Sequence, residues 1–302
     1  MPKTIVILNP TAGRGAGAQL SSQIVAYLSD YGLDFELATT NAPGHAAVLA
    51  REAVTRGQDR LLAVGGDGTF NEVLNGMLQA GSTPDGPVLG VVPIGTGNDM
   101  AYGVGLPLDW QQASQVIAQG STRVLDVGQV KCDNDADLFF GNGVGIGFDA
   151  IVNIESRKLK RLRGFPLYFV ALMKTLIAYY HAPEITIHVD GEATVQSSLM
   201  ISIMNGRRFG GGFYMTPEAL MDDGLFDVCV TGKVARHKMV GFVPRFMRGT
   251  HVTDRRVTLT QGRRISVAIE SPWAAHVDGE IYGVGARQLE VELIPQRLRI
   301  LG

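Results

Sequence analysis

Leu61-Leu-Ala-Val-Gly-Gly-Asp-Gly-Thr-Phe-Asn-Glu72 decides how the first part of the chain folds. Leu61–Val64 is a continuous apolar run of strand length, the pattern of a strand buried on both faces. Gly65-Gly66-Asp67-Gly68 ends it. Thr69 reads as the N-cap of a helix through Leu78, with Glu72 three positions on completing a capping box. Strand, glycine-rich turn and helix in succession is the unit from which parallel sheets are built.

The rhythm extends both ways. Before it, Thr4–Leu8 is a strand ended by Asn9-Pro10, Ala16–Tyr31 a helix, Asp34–Ala38 a strand and Ala46–Arg56 a helix. After it, Val88–Val92 is a strand ended by Pro93, Trp110–Ala118 a helix and Arg123–Val130 a strand. Residues 1–130 are therefore expected to form an α/β domain, a parallel sheet with helices on both faces. Past residue 130 the period changes. Phe165–Tyr180 reads as one helix. Glu184–Val189 alternates, meets Asp190-Gly191 and returns through Ala193–Val195, a strong hairpin signal. Leu199–Met204, Phe226–Val230, Arg256–Thr260, Ile265–Ile269 and Leu289–Leu293 fit further strands. Residues 131–302 are expected to be a mostly antiparallel β-sandwich, with the last strand returning to the first domain.

Composition narrows the class. Glycine makes up 38 of 302 residues, roughly twice the usual share. There is no Gly-X-Y period, so this is no collagen, and 45% hydrophobic residues exclude a disordered chain. Cys132 and Cys229 are too few for a disulfide framework and suit a reducing cytosol. No signal peptide and no 18-residue uncharged apolar stretch is read; Phe165–Tyr180 comes nearest and contains Lys174. The net charge of −2 argues against a nucleic-acid partner. The charge is uneven, −5 over residues 1–128 and +3 over 129–302, which fits two domains with different tasks.

Fifteen glycines sit in five clusters: 13/15/17, 65/66/68, 95/97, 141/143/145/147 and 210/211/212. The first three follow strands of the expected parallel sheet, where ligands bind beyond the strands' carboxyl ends. Glycine there lets backbone N–H groups come close to an anion, and helix N-termini favour negative charge. Tight strand-to-helix turns alone would also need glycine. Asn9-Pro-Thr-Ala-Gly13-Arg-Gly-Ala-Gly17 has no Gly-Lys-Ser/Thr and no clean dinucleotide fingerprint, so a dehydrogenase is disfavoured. Asp67, Asp99 and Asp126 accompany the glycines. Carboxylates beside a polyphosphate call for a cation, and Mg²⁺ is the economical one; turn acids or caps are the plain alternative.

Together these stretches resemble the diacylglycerol-kinase catalytic family, which includes bacterial lipid kinases and sphingosine and ceramide kinases and is related to NAD kinases. Asn-Pro-x-x-Gly13, Gly65–Glu72 and Pro93–Asp99 carry the likeness. So do Gly141–Ala150, Arg207–Phe213, Pro217–Asp227 and Asp278-Gly-Glu280, so it spans nearly the whole chain. The resemblance implies an ATP- and Mg²⁺-dependent lipid kinase that phosphorylates a lipid hydroxyl. Diacylglycerol is the first expectation, with phosphatidylglycerol or a sphingoid lipid next. Asn9, Pro10, Thr11, Ala12, Gly13, Thr40, Gly66, Asp67, Gly68, Thr69, Phe70, Asn71, Glu72 and Thr96 would contact ATP. Asp67, Asp99 and Asp126 would form an acid–water–Mg²⁺ network. Leu220 and Leu225, by carbonyls, and Asp223, by its carboxylate, would hold a second Mg²⁺. Glu280 would be the general base; in sphingosine-kinase relatives the aspartate of Gly-Gly-Asp-Gly-Thr is described in that role, which makes Asp67 the other candidate. Val-Asp-Gly-Glu occurs at both 189–192 and 277–280, and only the family pattern prefers the second.

Arg207-Arg208 and Arg263-Arg264 read as solvated strand ends, and the six histidines show no ligand spacing. Ser156–Gly164 carries Arg157, Lys158, Lys160, Arg161 and Arg163 directly before the apolar helix. That suits either a surface on anionic lipid at the inner face of the membrane or a solvated basic helix end. The expected location is cytoplasmic and peripheral to the membrane, with a homodimer left open. An NAD kinase and a non-catalytic nucleotide-binding regulatory protein are the rival readings.

Overall fold

The computed structural model describes residues 3–133, 137–159 and 164–302. Two compact units emerge, one of Met1–Val127, Met221–Asp223 and Ile294–Gly302, the other of Gly128–Leu220 and Gly224–Leu293.

In the first unit the elements alternate: β1 (Thr4–Leu8), α1 (Ala12–Asp30), β2 (Phe35–Thr39), α2 (His45–Thr55), β3 (Arg60–Gly65), α3 (Asp67–Gln79), β4 (Val88–Pro93), α4 (Asp99–Gly103), α5 (Trp110–Gln119) and the start of β5 (Thr122–Cys132). β1 pairs in parallel with β2 and β3, and β3 in parallel with β4. The register sets Leu8 beside Val64 and Gly65 beside Pro93. The loops that leave β1, β3 and β4 therefore emerge at one sheet edge. Leu61–Val64 are at most 1% exposed, which is why this strand is apolar throughout rather than alternating. Val6, Leu8, Leu62, Val64 and Val92 pack with Ile24 and Leu28 of α1 and Ile117 of α5. Ile300, near the chain's end, pairs in parallel with Leu89.

The second unit contains the rest of β5, then β6 (Leu138–Phe140), β7 (Gly143–Gly147), α6 (Phe148–Lys158), α7 (Gly164–Ala178), β8 (Glu184–Val189), β9 (Glu192–Met204), β10 (Arg208–Phe209), β11 (Phe213–Tyr214), β12 (Phe226–Gly232), α8 (Arg236–Arg248), a 3₁₀ turn (Thr250–Thr253), β13 (Val257–Gly262), β14 (Arg264–Val277) and most of β15 (Glu280–Leu301). Its pairing is mostly antiparallel. β9 pairs with β12, and β12 with β13. β7 and β8 both lie between β9 and β14, each against a different stretch of those long strands. β14 continues into β15 as a hairpin.

Several local expectations change. Residues Ala193–Val195 and Leu199–Met204 belong to one strand, because β9 pairs first with β8 and then with β7. Helix α8 lies in a half expected to be mostly strands and turns, where the sequence reading assigns no element between Val230 and Arg256. Gly241, Pro244 and its basic residues mask the pattern, but Met239, Phe242, Val243 and Phe246 are buried at helical spacing. α6 begins within Gly141–Ala150, where glycines hid it. The Thr69 capping box is not formed. α3 starts at Asp67 with Gly66 as N-cap, Thr69 lies inside it, and Glu72 reaches another helix.

Candidate active site

In the first unit the site is built from the loops at the common sheet edge. Asn9 follows β1 and donates from Nδ2 to Thr69 Oγ1 at 2.9 Å. Its Oδ1 accepts from the Thr11 amide at 3.0 Å and hydroxyl at 2.8 Å. This ties the Asn9–Gly13 loop to α3. Residues 13–15 keep left-handed backbone where the loop enters α1. The turns after β3 and β4 come closer still: a Cβ on Gly95 would collide with the Cα of Gly66, and one on Gly13 with the Ile94 carbonyl. Backbone alone fits there, the arrangement that brings amides and helix N-termini to an anion. The cradle fits a polyphosphate.

The acids of this unit are held in place. Asp67 Oδ1 accepts the Met100 amide at 2.9 Å, linking the N-termini of α3 and α4. Asp99 is 5% and Asp126 1% exposed. Asp126 Oδ1 accepts the Gln296 amide at 2.7 Å, and its own N–H donates to the Met221 carbonyl at 2.8 Å. Glu72 accepts the amides of Gly44 at 2.9 Å and Ala46 at 3.1 Å, at the start of α2. Thr40 is buried and its N–H donates to the Leu8 carbonyl. Thr96 is exposed, and Pro10, Ala12 and Gly68 are partly so. The Phe70 ring is core, and Asn71 accepts from Asn75.

Among the described residues, no three or more His, Cys, Asp or Glu side chains gather to hold a metal ion by themselves. One or two fixed carboxylates supplemented by waters and phosphate oxygens is the Mg²⁺ pattern, and the acids here fit that. Of the other metal candidates, Asp223 belongs to the first unit, and Leu220 and Leu225 to the second. The neighbouring Gly224 carbonyl accepts from Arg263 Nε at 2.9 Å.

In the second unit Asp278-Gly279 turns β14 into β15, and Glu280 is the first residue of β15. The Asp278 carboxylate accepts the amides of Gly141, Asn142 and Gly143, each at 2.9 Å. Glu280 is ion-paired with Arg157 of α6 at 2.9 Å. Arg157 and Lys158, which pairs with Glu155, are both exposed. Lys160, Arg161 and Arg163 lie outside the described residues. Arg208, expected at a solvated strand end, is 6% exposed; Arg207 donates to the Ala219 carbonyl and Arg263 to Gly224. Arg264 is exposed and pairs with Glu292. Sequence reading missed the contacts of Asp149, Asn153, Arg157 and His276. The only trace was the four-residue spacing of the first three.

Lys158, and then Lys174, hold the buried Glu155 carboxylate below its usual range. Burial pushes the Cys229 thiol up to about 12, so it is inert, and lowers His251.

The alternating first unit and the mostly antiparallel second unit correspond to the two stretches that family models match. Residues 3–130 match the model of the diacylglycerol kinase catalytic domain. Residues 142–302 match the model of the YegS C-terminal NAD kinase beta sandwich-like domain. A Bacillus subtilis diacylglycerol kinase is 29% identical over 94% of this chain and 91% of its own length. An Enterobacter protein named a probable lipid kinase YegS-like is 33% identical over 75% of this chain and 73% of its own. A solved structure from Bacillus anthracis aligns with a TM-score of 0.79 at 21% identity, covering 99% of this chain and 96% of that one. The chain belongs to the diacylglycerol kinase and YegS-like lipid kinase family, and it is a lipid kinase. Among the described residues, no helix is long and apolar enough to cross a membrane.

Proposed function

We propose that this kinase uses ATP and Mg²⁺ to phosphorylate a lipid hydroxyl, diacylglycerol being the first candidate. The observation that carries the nucleotide reading is the contact of Gly66 with Gly95, which leaves room for backbone but for no side chain where two loops meet at the sheet edge. Asn9–Gly13, Thr40, Gly66–Glu72 and Thr96 bind and orient the nucleotide. Asp67, Asp99 and Asp126 hold the ion through water or directly; Leu220, Asp223 and Leu225 are the candidates for a second one. Mg²⁺, when bound, neutralises phosphate charge.

In the transfer, the lipid oxygen forms a bond to the γ-phosphorus as the bond from that phosphorus to ADP oxygen breaks. The hydroxyl proton goes to the Glu280 carboxylate, which is half exposed and carries no competing backbone bond among those described. Asp67 is the other candidate base; the Met100 amide holds one of its oxygens as Arg157 holds one of Glu280's. The enzyme works at the inner face of the membrane, where its lipid lies.

ATP consumption with and without mixed micelles of diacylglycerol tests the reading. Lipid-stimulated consumption is expected. Consumption stimulated by NAD and by no lipid would make the chain an NAD kinase, and stimulation by neither would make it a nucleotide-binding regulator.

A further inference from the structure

Asp149, Asn153 and Arg157 stand four residues apart on α6, so they form one row along a helix face. All three meet the segment from His276 to Glu280. Asp149 Oδ2 lies 3.4 Å from His276 Nε2. Asn153 Nδ2 donates to the Gly279 carbonyl at 2.6 Å. Arg157 Nη2 donates to the same carbonyl at 2.8 Å and to Glu280 Oε2 at 2.9 Å. Its Nε donates to Asn153 Oδ1 at 3.2 Å, so one member of the row aims the next.

The turn is gripped from its other sides as well. Asp278 takes the three amides of residues 141–143. The Gly279 N–H donates to His276 Nδ1 at 3.3 Å. A Cβ on Gly145 would collide with both the Asp149 carboxylate and the His276 ring. That glycine keeps the first contact of the row open.

We propose that this row is the device that positions Glu280, with Arg157 the positioning residue that fixes its carboxylate. The inference rests on Glu280 being the base. A glutamate side chain half open to water loses several rotamers' worth of freedom when held. Nη2 alone serves the Gly279 carbonyl and the Glu280 carboxylate, while Nε is held by Asn153 Oδ1, so the planar guanidinium is fixed at two points, which a lysine ammonium with a single nitrogen cannot reproduce. As an ion pair roughly half exposed on both sides, the contact adds little to stability. Its use is to set direction, and misplacement of a reacting group by about 1 Å costs on the order of 10²-fold in rate.

The test uses the full chain with ATP and diacylglycerol micelles. Arg157→Ala is expected to lower kcat at least tenfold, with KM for ATP and the melting temperature unchanged. Added guanidinium restores part of that loss, and restores none in Glu280→Gln. Arg157→Lys recovers only part of kcat at native melting temperature, which keeps the test intact if the alanine variant folds poorly. Arg264→Ala, which breaks a surface ion pair of the same type, leaves kcat unchanged. Full kcat in Arg157→Ala beside an inactive Glu280→Gln would overturn the inference and leave the base in place. Full turnover in Glu280→Gln would instead remove the base reading.

Discussion

Val-Asp-Gly-Glu occurs twice, at 189–192 and 277–280, and both copies fold into the same turn. Asp190 and Asp278 have φ of 49° and 48°, Gly191 and Gly279 of 94° and 82°. Left-handed backbone at both central residues is the turn that suits the twist of a two-residue hairpin. In each, Val and Glu pair across the ladder. What surrounds them differs. Asp190 is exposed and accepts the amides of Arg263 and Arg264. Asp278 is 5% exposed and satisfies three consecutive amides of the Gly-Asn-Gly loop. Glu280 faces the polar row of α6. Four residues suffice to specify a hairpin. A site requires the elements packed around it.

The comparison can be broken at its active residue first. Glu280→Gln is expected to cut turnover by roughly 10²–10⁴-fold with ATP affinity retained, while Glu192→Gln stays near wild type. Steady-state rates and ATP titration read both. Equal losses would make the two turns functionally alike.

The aspartates come next. Asp278→Ala strips three buried amides of a charged acceptor and should destabilise the second unit by about 2–5 kcal/mol. Asp190→Ala, at an exposed turn, should cost less than about 1 kcal/mol. Urea denaturation of the two variants sharpens the contrast. Comparable costs would mean that burial does not separate the turns.

The smallest effect concerns α6 itself. Glu155 is held below its ordinary value near 4.5, first by Lys158 and then by Lys174 of α7. A folded value below the unfolded one means the stabilisation is complete above about pH 4.5 and is lost as pH falls through that range. Asp254, held well below its ordinary 3.8 chiefly by Arg256, acts in the same direction at lower pH. The melting temperature should therefore fall on acidification below about pH 4.5, and Glu155→Gln should flatten the upper part of that fall.

The hairpins, the alternating first unit and the glycine loops were legible in the sequence because each is encoded locally. Leu61–Val64 announces its burial, and Asp-Gly announces its turn. Long-range partners were not legible. Glu72 looked like half of a capping box and instead satisfies the start of α2, 26 and 28 residues away. Arg157 looked like one basic residue among five, yet its partner lies 123 residues further on. Helix α8 was hidden because Gly241 and Pro244 interrupt it, although its buried face keeps helical spacing. Arg208 looked solvated beside Arg207, and only the surrounding fold buries it. Polar side chains with distant partners leave no periodic trace.

One measurement bears most directly on the central claim. The chain is incubated with labelled ATP, Mg²⁺, a total lipid extract and NAD as competing acceptor, and the labelled product is identified by mass. A phosphorylated lipid, formed by the wild type and by Glu192→Gln but not by Glu280→Gln, is the predicted result. Label appearing in NADP, or in lipid with Glu280→Gln undiminished, would contradict it.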